Sequence, residues 1–130
     1  MKVLADTSAW IAYFRSVDTP ASMKLRHLIE LEEDICLCGP VLTEILQGLR
    51  EQPQFDKISR ILSTFDYLPT SEAAFRHAAE IYRKLRSKGL TVRGTIDCII
   101  AATALAHDVH LIHHDRDYDG IAKHFPLRVL

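Results

Sequence analysis

The sequence has few cysteines, and they lack the spacing of a metal-binding or disulfide framework. Its 130 residues include three cysteines, two of them in a Cys36-Leu37-Cys38 pattern and the third at Cys98. An odd number of cysteines without a Cys-x-x-Cys pair argues against a set of disulfides and against a zinc ribbon. We therefore expect reduced thiols that pack as small apolar side chains.

The sequence also lacks an excess of basic residues and any long apolar run. Sixteen lysines and arginines accompany seventeen acidic residues, which gives a formal net charge of −1. A site for a polyanion would therefore be a local patch rather than a global positive field. No apolar run approaches the roughly 20 residues that cross a bilayer, and Met1 and Lys2 lead directly into a predicted strand instead of a signal peptide. These features predict a cytoplasmic protein that does not enter the membrane.

Short apolar runs alternate with helical patterns along the chain. We predict strands at 2–5, 35–38, 67–69, 110–113 and 126–129, and helices at 7–14, 21–32, 41–50, 55–65, 71–87 and 96–106. Residues 115–120 are predicted to form a turn before a short last helix. Strands that alternate with helices favour a mostly parallel sheet with helices on both faces. We therefore predict a single three-layer α/β/α domain over residues 1–130, a length typical of one domain.

Acidic residues recur where predicted strands end and in the helices that follow. Asp6 ends the first strand, and Glu44 lies in the helix after the second strand. Asp97 lies in the first turn of the 96–106 helix, and Asp115 and Asp117 follow the 110–113 strand. Each has an ordinary explanation, since such residues cap helices, complement helix dipoles and form turns. Their recurrence favours function, because ligands of open α/β sheets bind outside the carboxyl ends of the strands.

The surroundings of two of these carboxylates are unusual for solvated helix residues. Gly48 follows Glu44 by one helical turn and leaves open space beside it, although glycine costs about 1 kcal/mol in helix propensity. Asp97 lies in an otherwise apolar segment and has the small residue Ala101 one turn later. These two settings indicate carboxylates that are partly withdrawn from solvent.

Partly buried carboxylates that lie close together repel one another, and their pKa values rise. A divalent cation relieves that repulsion, and a site made only of oxygen ligands suits Mg²⁺, with Mn²⁺ as a substitute, better than zinc. Such a site can hydrolyse a phosphodiester by activating water and stabilising the leaving oxygen. No histidine or cysteine base is then needed.

Four segments carry these acidic residues in a fixed order along the chain. They are 4–8 (LADTS), 43–48 (TEILQG), 95–104 (TIDCIIAATA) and 114–119 (HDRDYD). In this order the segments resemble the PIN domain family, and more narrowly the VapC toxins of prokaryotic toxin–antitoxin pairs. The resemblance extends over nearly the whole chain. It implies a Mg²⁺-dependent endoribonuclease, which is a hydrolase that acts on RNA phosphodiester bonds.

The resemblance also assigns roles to residues. The four acidic positions of the family pattern correspond to Asp6, Glu44, Asp97 and Asp115. Asp117 shares or replaces the role of Asp115, and the sequence leaves that choice open. Asp6, Asp97 and one or both of these late aspartates would hold metal, while Glu44 would orient the attacking water. Ser8 matches a small polar position that orders the site. The resemblance further implies a homodimer and inhibition by a VapB-type antitoxin that binds along a hydrophobic groove.

The densest basic segment lies at the end of the predicted 71–87 helix and just beyond it. Its members are Arg83, Lys84, Arg86, Lys88 and Arg93. Cations near a helix C-terminus complement the helix dipole. The functional alternative is contact with phosphates that position RNA beside Asp97. The sequence leaves both interpretations open.

Histidines are concentrated around the predicted 110–113 strand, at His110, His113 and His114. Neighbouring residues on a strand point to opposite faces of the sheet. Chelation of one metal by His113 and His114 together is therefore disfavoured, and a structural or surface role is the preferred interpretation.

Two alternative functions suit a chain of this size and fold class. A phosphorylatable receiver domain would need an aspartate at the end of a mid-chain strand and a lysine after a late strand. Asp56 instead lies in a helical pattern, and the late strand ends in His113 and His114. A metal-free binding module would keep the fold without catalysis, but the four filled acidic positions favour an enzyme.

Overall fold

The computed structural model describes residues 1–90 and 94–130. Its strands are β1 (Lys2–Ala5), β2 (Asp34–Cys38), β3 (Asp66–Leu68) and β4 (His110–Ile112). Its helices are α1 (Thr7–Phe14), α2 (Pro20–Glu30), α3 (Gly39–Gln47), α4 (Gln52–Leu62), α5 (Glu72–Ser87), α6 (Thr95–His107) and α7 (Arg116–His124). This alternation confirms the predicted α/β fold class.

The four strands form one sheet in the order β3-β2-β1-β4, and every neighbouring pair is parallel. Ala5 at the end of β1 lies opposite Ile112 at the end of β4. The Asp6 N–H then donates to the Ile112 carbonyl at 2.9 Å. The segments that follow β1 and β4 therefore leave the sheet side by side, at its carboxyl edge.

The core is built around β1, because Val3, Leu4 and Ala5 are all fully buried. On one side α1 packs against α2 and α3, while α5 packs against α6, and both α5 and α6 contact α7. Trp10 on α1 is fully buried, and its ring lies 5.7 Å from that of Phe14. Trp10 is therefore a packing residue of the core.

Several predicted boundaries are wrong, each for a local reason. The predicted 126–129 strand is only an isolated parallel bridge between Leu111 and Val129. The helix predicted at 55–65 begins earlier and is α4 (Gln52–Leu62), because Pro53 fits its first turn. The predicted turn over 115–120 is mostly the first part of α7, since Asp115 caps that helix. Asp117 is therefore a helical residue.

Within the described residues, no helix combines the length and the apolar character needed to cross a membrane.

Candidate functional site

Three of the predicted carboxylates come together at the carboxyl edge of the sheet. Asp97, Asp115 and Asp117 each offer an oxygen atom, and these atoms all lie within 4.8 Å of one another. Asp97 is in the first turn of α6, Asp115 is the N-cap of α7, and Asp117 is in the first turn of α7. The site thus depends on two helix N-termini, whose dipoles favour negative charge.

The Asp97 carboxyl has an unusual electrostatic environment. Burial, followed by the negative charge of Asp115, raises its pKa to about 6, and Asp117 adds to the effect. A hydrogen bond from the Tyr118 hydroxyl, 3.2 Å from Asp97 Oδ1, acts in the opposite direction. The repulsion among carboxylates expected from the sequence is therefore present at Asp97.

Asp6 lies beside this group and also performs the ordinary task of capping a helix. Its Oδ1 accepts from the Ala9 N–H at 3.1 Å and from the Ser8 hydroxyl at 2.7 Å. Only 5% of Asp6 is exposed, and burial raises its pKa, with a further contribution from the charge of Asp115. Its Oδ2 makes no hydrogen bond with the described part of the chain, so that oxygen is available to a ligand.

Glu44 lies outside the three close carboxylates but is held near Asp6 through Thr7. The Thr7 hydroxyl donates to Glu44 Oε1 at 2.7 Å, and Thr7 directly follows Asp6 in the chain. Sequence reasoning gave Thr7 no role of its own. Only its position in the 4–8 segment, between the predicted site residues Asp6 and Ser8, pointed to Thr7.

Sequence reasoning also missed the role of Tyr118 and placed His113 in a strand. β4 ends at Ile112, and the His113 side chain, 7% exposed, folds back so that Nδ1 accepts from the Asp115 N–H at 3.1 Å. Tyr118 is fully buried. The available signal was a tyrosine among the aspartates of the 114–119 segment, because a phenol that becomes buried usually finds a polar partner.

The basic segment at the end of α5 lies against the N-terminal part of α6. Arg83 and Arg86 line a mainly apolar groove together with Thr95, the first residue of α6, and Ile99. Arg86 also lies over the ring of Tyr82, with its guanidinium carbon 5.8 Å from the ring centre. Lys84 and Lys88 are exposed near the end of α5. Arg93 lies outside the described residues.

The close carboxylates suit a divalent metal ion. Three carboxylates offer only oxygen ligands, as Mg²⁺ and Mn²⁺ prefer, and their half-buried positions concentrate negative charge at one point. A second group of potential ligands, Asp34, Cys36 and Asp66, lies elsewhere on the sheet. There burial raises the pKa of the Cys36 thiol to about 11, and a hydrogen bond with Asp66 raises the pKa of Asp34. The protonated Cys36 thiol is not an oxygen ligand, so this second group offers Mg²⁺ two carboxylates rather than three.

Without divalent cations, we expect the Asp97 carboxyl to make the folded protein less stable as the pH rises from about 4 to about 6. In the folded chain the pKa of the Asp97 carboxyl is about 6, whereas its ordinary value is 3.8. The folded state thus binds more protons in that interval, and the stabilisation is lost above it. For a fully buried group, this pKa shift would change the free energy of unfolding by about 3 kcal/mol. Asp97 is only half-buried, and solvent screening reduces the change to about 1–2 kcal/mol.

Urea unfolding of the protein and of Asp97→Asn in EDTA, at about pH 4 and about pH 7.5, measures this change. The variant serves as the reference, because it carries every other titrating group. A constant difference in unfolding free energy between the two proteins at both pH values would contradict the expectation.

The family model of the PIN domain matches residues 3–124. The chain belongs to the PIN domain family. This confirms the resemblance found in the four acidic segments. A ribonuclease VapC11 of Mycobacterium tuberculosis is 39% identical to this PIN domain over 123 residues, which cover 93% of this chain and 92% of the relative.

Solved structures support the same fold. VapBC-1 from nontypeable Haemophilus influenzae has a TM-score of 0.78 at 18% identity and covers 100% of this PIN domain and 97% of that chain. A toxin–antitoxin complex from Klebsiella pneumoniae has a TM-score of 0.75 at 21% identity and covers 98% of this chain and 95% of that chain. The arrangement of strands and helices is thus that of PIN domains, and the three close carboxylates lie at the carboxyl edge of its sheet.

Proposed function

We propose that this PIN domain is a Mg²⁺-dependent endoribonuclease and the toxin of a toxin–antitoxin pair. The observation that carries the proposal is the meeting of Asp97, Asp115 and Asp117, whose oxygens lie within 4.8 Å of one another. The 39% identity to a ribonuclease VapC11 over 93% of the chain supports RNA as the substrate. Mn²⁺ would substitute for Mg²⁺, since both ions favour carboxylate ligands.

The acidic residues divide the work of the site. Asp97, Asp115 and Asp117 would hold the cation, with Asp6 contributing through Oδ2, directly or through water. When bound, the cation would activate water and stabilise negative charge on the phosphodiester. Glu44, held by the Thr7 hydroxyl at 2.7 Å, would orient the attacking water. Ser8 would keep Asp6 in place through its 2.7 Å hydrogen bond.

The basic side chains of α5 would bind the RNA backbone. Arg83 and Arg86 line a groove that reaches Thr95, which is two residues before Asp97. Contacts to phosphates fix the register of a nucleic acid on a protein without reading its sequence. Lys84 and Lys88 would add to the same positive surface, and we extend the proposal to Arg93 from the sequence alone.

An antitoxin and a second copy of the chain are the proposed protein partners. A cavity of about 180 Å³ between α1, α3 and α4 is lined by Ile11, Phe14, Ile45, Leu49 and Ile58, among others. Arg15 and Gln54 also line this cavity, so it suits an antitoxin segment that presents both apolar and polar side chains. The likeness to a toxin–antitoxin complex supports such a partner. Phe75, which lines the same groove as Arg83 and Arg86, is 50% exposed, and Ile96 is 39% exposed. These exposed apolar side chains favour a homodimer contact beside the proposed RNA contacts.

Expression of the chain alone in a bacterial host should arrest growth, and coexpression with the neighbouring small gene should restore it. Sequencing of RNA ends after a brief induction should reveal new ends that share a local sequence. The matched control is Asp97→Asn, which should leave both growth and RNA ends unchanged. Normal growth and unchanged RNA ends with abundant, folded wild-type protein would contradict the proposed function.

A further inference from the structure

Two side chains outside the acidic set connect its carboxylates to one buried pair of rings. The Tyr118 hydroxyl donates to Asp97 Oδ1 at 3.2 Å. The His113 Nδ1 accepts from the Asp115 N–H at 3.1 Å. The rings of His113 and Tyr118 lie 4.9 Å apart. The side chain that contacts Asp97 and the side chain that contacts the Asp115 backbone therefore lie against each other.

We propose that His113 and Tyr118 are positioning residues of the acidic site. Tyr118 orients the Asp97 carboxylate, and His113 holds the turn that presents Asp115, so that oxygens of both acids face one point. This inference rests on the proposed metal-dependent function and adds two residues to its site. Groups that orient metal ligands in this way commonly change metal affinity about 10-fold to 100-fold when they are altered.

The hydroxyl of Tyr118 has a task that packing alone would not require. Tyr118 is fully buried, and a phenylalanine ring would fill the same space. Burial and the nearby charges of Asp6 and Asp97 raise the pKa of the phenol well above 10.0, so it remains a donor. Because this donor belongs to α7 and its acceptor to α6, the bond ties together the two helices that carry the carboxylates.

The imidazole of His113 is held in one form by its contact with Asp115. A nitrogen that accepts from a backbone N–H carries no proton, so the proton of the neutral ring is on Nε2. The Nε2 atom is buried without a hydrogen bond to any described residue, and Asp119 Oδ1 is 3.6 Å away. The ring thus acts on the site through Nδ1, which fixes the backbone at Asp115.

Titration of metal-free protein with Mn²⁺ in a calorimeter tests the role of Tyr118. Tyr118→Phe should bind Mn²⁺ about tenfold more weakly than the wild type, while its thermal unfolding stays close to that of the wild type. The matched control is Tyr13→Phe on α1, whose ring packs edge-on against Trp10 and lies outside the acidic site. The control should bind Mn²⁺ with wild-type affinity.

A pair of substitutions tests His113. The Oδ1 atom of an asparagine occupies the place of the histidine Nδ1, whereas leucine offers no acceptor. His113→Leu should weaken Mn²⁺ binding about tenfold, and His113→Asn should retain most of the affinity. In metal-free protein, the amide resonance of Asp115 should move in His113→Leu and stay near its wild-type position in His113→Asn.

The outcomes separate this inference from the proposed function. Wild-type affinity for Mn²⁺ in Tyr118→Phe, or equal losses in His113→Asn and His113→Leu, would reduce the pair to packing and leave the ribonuclease proposal intact. Failure of the wild type itself to bind Mn²⁺ would overturn both. If His113→Leu does not fold, Tyr118→Phe and the Asp115 amide of His113→Asn decide the question.

Discussion

Asp97→Asn should reduce RNA cleavage about a thousandfold or more while the protein remains folded, a loss of about 4 kcal/mol of transition-state stabilisation. Asparagine keeps the shape of the side chain and can still accept the hydrogen bond from Tyr118. It removes one of the three charges whose oxygens lie within 4.8 Å of one another. The cation site would weaken, and the attacking water would lose its position.

The same substitution should leave the metal-free protein equally stable or more stable at neutral pH. Burial and the charge of Asp115 raise the pKa of Asp97 to about 6, so the ionised carboxylate destabilises the folded state when no cation is present. Functional sites often trade stability for activity in this way. Urea unfolding in EDTA and cleavage of a mixed RNA pool with Mg²⁺ measure the two effects separately.

The matched control for both measurements is Asp56→Asn. Asp56 is exposed on α4, and its Oδ1 accepts from the Gln52 side chain at 2.8 Å, a bond that asparagine can keep. The control should change neither cleavage nor stability appreciably. Cleavage by Asp97→Asn at the wild-type rate would show that the proposed active site is wrong. Unfolding of that variant would make Asp97 a structural residue.

Addition of Mg²⁺ or Mn²⁺ at about 100 times its dissociation constant should stabilise the protein by about 2.7 kcal/mol. For a chain of this length, such a gain raises the melting temperature by about 10 °C. The physical reason is that the cation binds the folded arrangement of Asp97, Asp115 and Asp117, which the unfolded chain does not preserve. Thermal melts with EDTA and with each cation measure the shift.

Variants of the two late aspartates refine this measurement. Asp115→Asn and Asp117→Asn should each reduce the cation-dependent shift, and the larger reduction identifies the principal ligand. Asp115 also caps α7 by accepting from the Asp117 N–H at 3.0 Å, a bond that asparagine can retain. Melting curves that coincide with and without cation, together with the absence of binding heat, would remove the metal ion from the proposed mechanism.

Local sequence was sufficient where hydrogen bonds between near neighbours define the structure. The helix predicted at 7–14 matches α1, because Asp6 caps it through the Ala9 N–H. The long helix predicted at 71–87 corresponds to α5, since the Ser71 side chain caps it by accepting from the Ala74 N–H and Gly89, with φ of 73°, follows its end. Helix ends of this kind are readable because both partners lie within one turn.

Boundaries failed where a competing contact was not visible in the local pattern. The helix predicted at 96–106 begins one residue earlier, at Thr95, with Gly94 as its N-cap. The apolar run at 110–113 suggested a strand through His113. The backbone instead turns after Ile112, because His113 Nδ1 takes the Asp115 N–H as its partner. A side chain that accepts from a nearby backbone group competes with the regular ladder.

The sequence by itself determined which residue types the site contains and in which order, because capping, strand ends and the four acidic segments are all local patterns. It therefore pointed to the PIN domain family and to a carboxylate site. Only the tertiary structure decided which carboxylates meet. It placed Asp97 beside Asp115 and Asp117, put Glu44 against Thr7, and joined Tyr118 to Asp97 across two helices. The parallel pairing of β1 with β4 and the packing of α6 against α7 set these distances, and no local pattern encodes a contact between segments so far apart in the chain.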